Sequence, residues 1–342
     1  MLKSVFKSFW ITQQLKNWID FYIATKRVIA MKHSLKITLV LIMLFLLSQI
    51  IGLATINKYI IVEKSPDGAT IIRHQNTVLG EQPELNEEEK KLSAIFILIA
   101  VLIGTGLIFL LIKFKLGRFW KIWYLISVGI TMTIAFNVYI PATIAVILAI
   151  ILAALKTFRY NPYLHNLTEI FIYTGITIII LPFISLYSGF LLLILISIYD
   201  MIAVWKSKHM IKLAQFQTDS KVFAGLMLNY PKKDTKSKVT SQNVVSLKNE
   251  GKGSGTRTAI LGGGDIAFPL MFNSAVMEYL IVVGHLTKSL AFMQSTIIAL
   301  FTTIALAILL IKSEKGKFYP AMPFISIGCI VGYIVIWAIR FI

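Results

Sequence analysis

Two aspartates stand inside apolar runs where a charge is costly: Asp200 in SIYDMIAVW and Asp265 in LGGGDIAFP. An ionised Asp at the centre of a membrane helix is disfavoured by at least ~2.5 kcal/mol on insertion scales, so an acid kept there marks a functional site. Lys206 follows Asp200 by six residues and Arg257 precedes Asp265 by eight. At the helical rise these are depths of about 9 Å and about 12 Å from the same face. On consecutive antiparallel helices the two carboxyls therefore share one level in a low-dielectric bundle, where both cannot ionise easily and one holds a proton while the other acts as base. Such a pair can hydrolyse an amide. One carboxylate activates a water, the neutral partner hydrogen-bonds the scissile carbonyl, and the shared proton passes to the leaving amine. The same two acids suit a proton relay or coupling-ion site in a transporter or channel, and charge spacing alone leaves both chemistries open.

Two further acids fall in apolar runs. Glu278 lies 13 residues beyond Asp265, about 20 Å along a helix and so near its far end, where a snorkelling or interfacial role is expected. Glu169 is one turn from a polar loop and reads as an interface residue. The five histidines, His33, His74, His165, His209 and His285, fall in loops or segment edges with no metal-ligand spacing, so no metal site is expected. A single cysteine, Cys329, excludes an intrachain disulfide and a Cys-based cluster.

The elements that position these residues are membrane helices. The 342 residues are 57% hydrophobic and 15% charged, with mean hydropathy +0.77, where a soluble domain carries charge on about a quarter of its residues. The net charge of +18 reads as topology and anionic lipid contact rather than nucleic-acid binding. A bilayer core needs about 20 apolar residues per helix. That ruler divides the chain into nine segments, near 37–56, 92–112, 120–139, 141–155, 167–186, 188–205, 260–284, 290–311 and 320–342. The fourth segment is short and follows the third almost directly at Pro141, so the ruler allows eight or nine spans. Counted by alternate sides, 27 Lys and Arg fall on the side of the N-terminus and 7 on the other. The positive-inside rule then predicts a cytoplasmic N-terminus in an all-α polytopic protein, embedded in the bilayer as an integral multi-pass chain.

Residues 1–33 interleave Lys3, Lys7, Lys16, Lys26, Arg27 and Lys32 with Phe6, Trp10, Trp18, Phe21 and Tyr22, the pattern of a basic amphipathic helix on an anionic surface. Helices one to six then occupy 34–205, and helices seven to nine occupy 259–342. The intervening 206–258 loop is expected to be cytoplasmic and partly disordered, with an apolar patch at Val222–Leu228 and a Gly/Ser/Lys-rich second half. Its GKGSGT run lacks the spacing of a phosphate loop and reads as linker. Pro182 and Pro269 should bend or loosen segments five and seven.

Three short motifs, Tyr199-Asp200, Gly262-Gly263-Gly264-Asp265 and Pro320-Ala321-Met322-Pro323, resemble the YD, GxGD and PAL signatures of the presenilin and signal-peptide-peptidase family of intramembrane aspartyl proteases. GxGD alone is weak, but three motifs in order on segments six, seven and nine span essentially the whole chain. Met322 stands where the family has Leu, an apolar exchange of similar volume. The resemblance implies a presenilin-like bundle of nine transmembrane helices, with Asp200 and Asp265 as the catalytic pair. Tyr199, Gly262, Gly264, Pro320, Ala321 and Met322 would shape the substrate site. Gly262 and Gly264 free space for a substrate backbone or a neighbouring helix, and Pro320 suits the first turn of a helix.

The resemblance also implies a transmembrane peptide or membrane-protein substrate, cut after local unwinding, and no cofactor. Signal peptide peptidases carry the motifs in the opposite orientation, so the charge count favours the presenilin-like one. A chain of this size looks like a self-sufficient prokaryotic homologue in the cell membrane, without obligate partner subunits.

Overall fold

The computed structural model describes residues 35–65, 70–83, 85–159, 161–206, 213, 216–217, 222–231, 256–313 and 319–340. Among them nine helices follow the chain: α1 (Leu35–Tyr59), α2 (Glu87–Lys113), α3 (Gly117–Asn137), α4 (Ala142–Phe158), α5 (Pro162–Ile180), α6 (Leu186–Met201), α7 (Gly264–Val282), α8 (Lys288–Lys312) and α9 (Met322–Ile339). Two antiparallel pairs accompany them, β1 (Ile60–Lys64) with β2 (Thr70–His74) and β3 (Gly225–Pro231) with β4 (Thr256–Gly262). Eight helices are long and apolar enough to cross a bilayer, and α4 is shorter at 17 residues. The basic helix expected over residues 1–33 and most of the 206–258 loop, including the run from Gly251, lie outside the described residues.

The helix boundaries have local causes. Pro141 stands directly before α4, so the break between the third and fourth segments is a real one. Asn161 starts α5 by accepting from the N–H groups of Tyr163 at 3.0 Å and Leu164 at 3.4 Å, with Pro162 in the first turn where no N–H is needed. Pro182 lies in the tight turn Leu181–Phe183 that finishes α5. Ser185 caps α6 by accepting from the Ser188 N–H, and α6 ends in a wider turn, Ile202–Lys206, just beyond Asp200.

Helix α7 is the centre of the bundle. It packs against α1, α5, α6, α8 and α9, and 14 of its 19 residues are buried, which is why its apolar residues run all round rather than along one stripe. Small residues set these approaches. A Cβ on Gly52 of α1 would come within 2.5 Å of the Leu270 side chain, and one on Gly332 of α9 within 2.8 Å of the Ile298 backbone of α8. Gly175 of α5 is tightest, with a Cβ falling 1.9 Å from the Thr131 carbonyl oxygen of α3. Backbone cannot yield as a flexible side chain does. Gly175→Ala is therefore expected to destabilise the bundle by about 1–3 kcal/mol, read as a lower thermal midpoint in detergent, and an unchanged midpoint would contradict this helix contact.

Residues 256–262 depart from the expected seventh segment, which was to be helical from 260. They form β4, paired with β3 from Gly225↔Gly262 to Pro231↔Thr256. The apolar patch Val222–Leu228 thus supplies the partner strand. Gly225 sits at φ +146°, and a Cβ there would meet the Leu261 carbonyl oxygen at 2.3 Å, so this end of the pair requires glycine. At the opposite end of α7, the β1–β2 hairpin is tied down by His74 Nε2 against Glu278 Oε1 at 2.6 Å and by Lys288 Nζ donating to the Ile60 carbonyl at 2.6 Å. Glu278, expected near the far end of this helix, anchors the hairpin there.

Candidate active site

Asp200 occupies the last turn of α6 and Asp265 the first turn of α7, and both are buried, at 8% and 9% exposure. Their carboxyls lie within direct electrostatic reach of each other. The depth of Asp265 does not follow from a helical rise at Arg257, because extended strand, not helix, leads to it. The strand reaches the same end of the bundle by another path.

The Pro-Ala-Met segment acts on Asp200 through its backbone. The Met322 N–H donates to Asp200 Oδ2 at 3.0 Å. It is free to do so because the first N–H groups of a helix, here α9, have no partner within it. Met322 in place of Leu leaves the backbone contact intact. Pro323, not Pro320, occupies the first turn of α9, and Pro320 is buried just ahead of it. Below this contact Ser197 and Ser326 hydroxyls meet at 2.8 Å and tie α6 to α9. Tyr199 reaches α2, where its hydroxyl meets Thr105 Oγ1 at 3.2 Å.

Around Asp265 each glycine of the GGGD run answers a different neighbour. Gly262 lies against the Asp265 carboxyl, where a Cβ on it would stand 3.2 Å from Oδ2. A Cβ on Gly264 would touch the Phe268 ring at 3.3 Å, and one on Gly263 would collide with Tyr173 Oη at 2.6 Å. Pro269 lies inside α7 and cannot donate to the Asp265 carbonyl four residues earlier. The adjacent Ile266 carbonyl accepts from Gln49 Nε2 of α1 at 2.9 Å, which steadies the loosened turn.

Behind Gly263 is a buried polar cluster that the sequence did not announce. Lys156 Nζ of α4 meets Glu169 Oε1 of α5 at 2.7 Å with both side chains 1% exposed. Lys156 also donates to Thr168 Oγ1 at 2.9 Å and the His165 carbonyl at 3.1 Å. Glu169, expected at the interface, is a core residue. It accepts from the hydroxyls of Tyr124 at 3.4 Å and of Tyr173. The start of α5 then grips β3: His165 Nε2 donates to the Gly225 carbonyl at 2.8 Å, which accepts only, and Asn166 exchanges two bonds of 2.9 Å with Met227. Tyr124 adds a bond to the Phe223 carbonyl at 3.1 Å. Among the described residues no group of three or more His, Cys, Asp or Glu could hold a metal ion.

A model of the family described as signal-peptide peptidase, presenilin aspartyl protease matches residues 74–341. Two solved structures of a presenilin family intramembrane aspartate protease, in C222 and P2 space groups, share the fold. The first has a TM-score of 0.55 at 16% identity, covering 88% of this chain and 99% of the other, and the second 0.51 at 16%, covering 87% and 96%. No curated protein matches the chain.

Proposed function

The chain belongs to the signal-peptide peptidase and presenilin aspartyl protease family, and from that premise we propose that Asp200 and Asp265 are its catalytic dyad, cutting peptide bonds inside transmembrane segments. It is an aspartyl protease and a multi-pass membrane protein. The observation that carries the dyad is the convergence of two buried carboxyls from different helices, Asp200 held by the Met322 N–H of the Pro-Ala-Met segment and Asp265 seated against Gly262 of its own motif. The ion-coupled transporter reading of the same acids is not favoured in this family.

Hydrolysis on this arrangement runs through one shared proton. The ionised carboxyl takes a proton from water as the water oxygen bonds to the scissile carbonyl carbon. The protonated carboxyl gives its proton to the carbonyl oxygen, and a gem-diol forms. Collapse then breaks the C–N bond while the carboxyl that took the water proton delivers it to the leaving nitrogen and the other takes a proton from a gem-diol hydroxyl, which restores the starting pair. The attacked carbonyl must first leave its helical hydrogen bond, so the substrate is a transmembrane segment unwound near the cut. The N-terminus and the 206–258 loop are read as cytoplasmic, and the enzyme as a self-sufficient one of a prokaryotic cell membrane.

A peptide carrying a hydroxyethylene group in place of the scissile amide mimics the gem-diol. It should inhibit the wild type at least about 100-fold better than the parent peptide competes, and equal potency of the two would count against the dyad. Gly262 gives a sharper local test. An added methyl at 262 presses on Asp265 Oδ2, so Gly262→Ala is expected to lower kcat by about 100-fold with little change in thermal midpoint. Wild-type turnover in that variant would show that the carboxyl has room to spare.

A further inference from the structure

We propose that Glu169, anchored by Lys156, acts through Tyr173 as the positioning unit for Asp265, an inference that rests on the dyad proposed above. The argument starts from an imbalance. A buried ion pair is poorly repaid in stability, since both charges lose water, and an apolar pair of similar volume would often serve the fold as well. This pair is nevertheless kept at 1% exposure and fully engaged, with Lys156 donating to Glu169, Thr168 and the His165 carbonyl. What it gains is direction. Glu169 Oε2 takes the Tyr173 hydroxyl, one turn further along α5, which fixes the phenol ring. The ring lies against Gly263, so close that a Cβ there would sit 2.8 Å from a ring carbon and 2.6 Å from Oη.

Gly263 is the last residue before α7, and its carbonyl accepts from the N–H groups of Ile266 at 3.2 Å and Ala267 at 2.9 Å, the two residues that directly follow Asp265. Whatever seats Gly263 therefore seats the Asp265 backbone. The same cluster holds the other side of that turn. His165 and Asn166 bind β3 at Gly225 and Met227, and β3 pairs with β4, whose last residue Gly262 lies so close to the Asp265 carboxyl that a Cβ there would stand 3.2 Å from Oδ2. The turn before Asp265 is thus gripped from two directions by one helix, α5, and Glu169 is where the two grips meet. A site that must hold a carboxyl to a fraction of an ångström needs such support, because a displacement of about 1 Å can lower a rate 100-fold. Lys156, Glu169 and Tyr173 act on Asp265 through the backbone of the turn that carries it; they position a reacting group.

The test is steady-state cleavage of a transmembrane peptide by the purified full chain as wild type, Asp265→Asn, Tyr173→Phe, Gly263→Ala and the Tyr173→Phe/Gly263→Ala double variant, each with its thermal midpoint. Tyr173→Phe keeps the ring and removes the bond to Glu169. Its kcat should fall about tenfold with KM within about twofold and an unchanged folded fraction. Gly263→Ala should fall about 100-fold. The double variant should fall no further than Gly263→Ala, because both lesions act through one contact. Wild-type kcat in Tyr173→Phe, a loss confined to KM, a loss matched by lost folded protein, or losses that multiply in the double variant would each overturn the inference. A wild type that does not cut would instead overturn the dyad, and this inference with it.

Discussion

Asp265→Asn is expected to lower the cleavage rate by at least about 10⁴-fold, with a thermal midpoint within about 2 °C of wild type. The amide fills the same volume against Gly262, so the fold loses nothing. The chemistry loses its shared proton, since an amide neither takes a proton from water nor gives one to the leaving amine. Asp200→Asn should do the same, and the double variant should be no slower than either single one, because the two carboxyls act as a unit. Each purified variant, assayed beside the wild type on one peptide, checks this. The pH profile adds a second reading: two carboxyls sharing a proton give a bell whose limbs belong to the pair, and a flat profile would contradict the sharing.

Lys156→Met is expected to be the most destabilising single change outside the dyad. It leaves Glu169 buried with an unpaired charge, and breaking one partner of a buried pair typically destabilises by about 3–5 kcal/mol. In a thermal melt this amounts to a fall of the order of 5–10 °C. The double variant Lys156→Met/Glu169→Gln removes both charges and keeps an acceptor for the Tyr173 hydroxyl, so it should regain most of the loss. A midpoint that stays at the wild-type value in Lys156→Met would mean that water reaches the pair.

The two buried aspartates were legible because of their cost. An acid in an apolar run stands out without any structure, and the three motifs assigned a partner and an order to both aspartates. The family and the fold follow that reading, as does the break at Pro141. What escaped is what depends on packing between helices. Lys156, three residues from Arg159 and one of the 27 cations counted on the side of the N-terminus, turns inward to meet Glu169 thirteen residues later. The opposite signs at the end of one segment and the start of the next were the available signal. Gly263 passed as the free position of GxGD because no periodicity shows that Tyr173 rests on it.

The strand at 256–262 escaped for a different reason. Its apolar residues Ala259, Ile260 and Leu261 run without a break into those of α7, so hydropathy merges strand and helix into one segment. The glycines at 262–264 mark where the backbone changes course. Likewise Pro320 satisfies the sequence rule for a first helical turn, but Pro323 satisfies it too, and only the Met322 N–H bond to Asp200 shows where α9 begins.

The most direct measurement is mass spectrometry of a single-span peptide after incubation with the purified wild type in detergent, beside Asp200→Asn and Asp265→Asn. The account predicts two fragments whose new termini map inside the apolar span, made by the wild type and by neither variant. Fragments made equally by a variant, or cuts only in the polar flanks, would contradict an intramembrane dyad of Asp200 and Asp265.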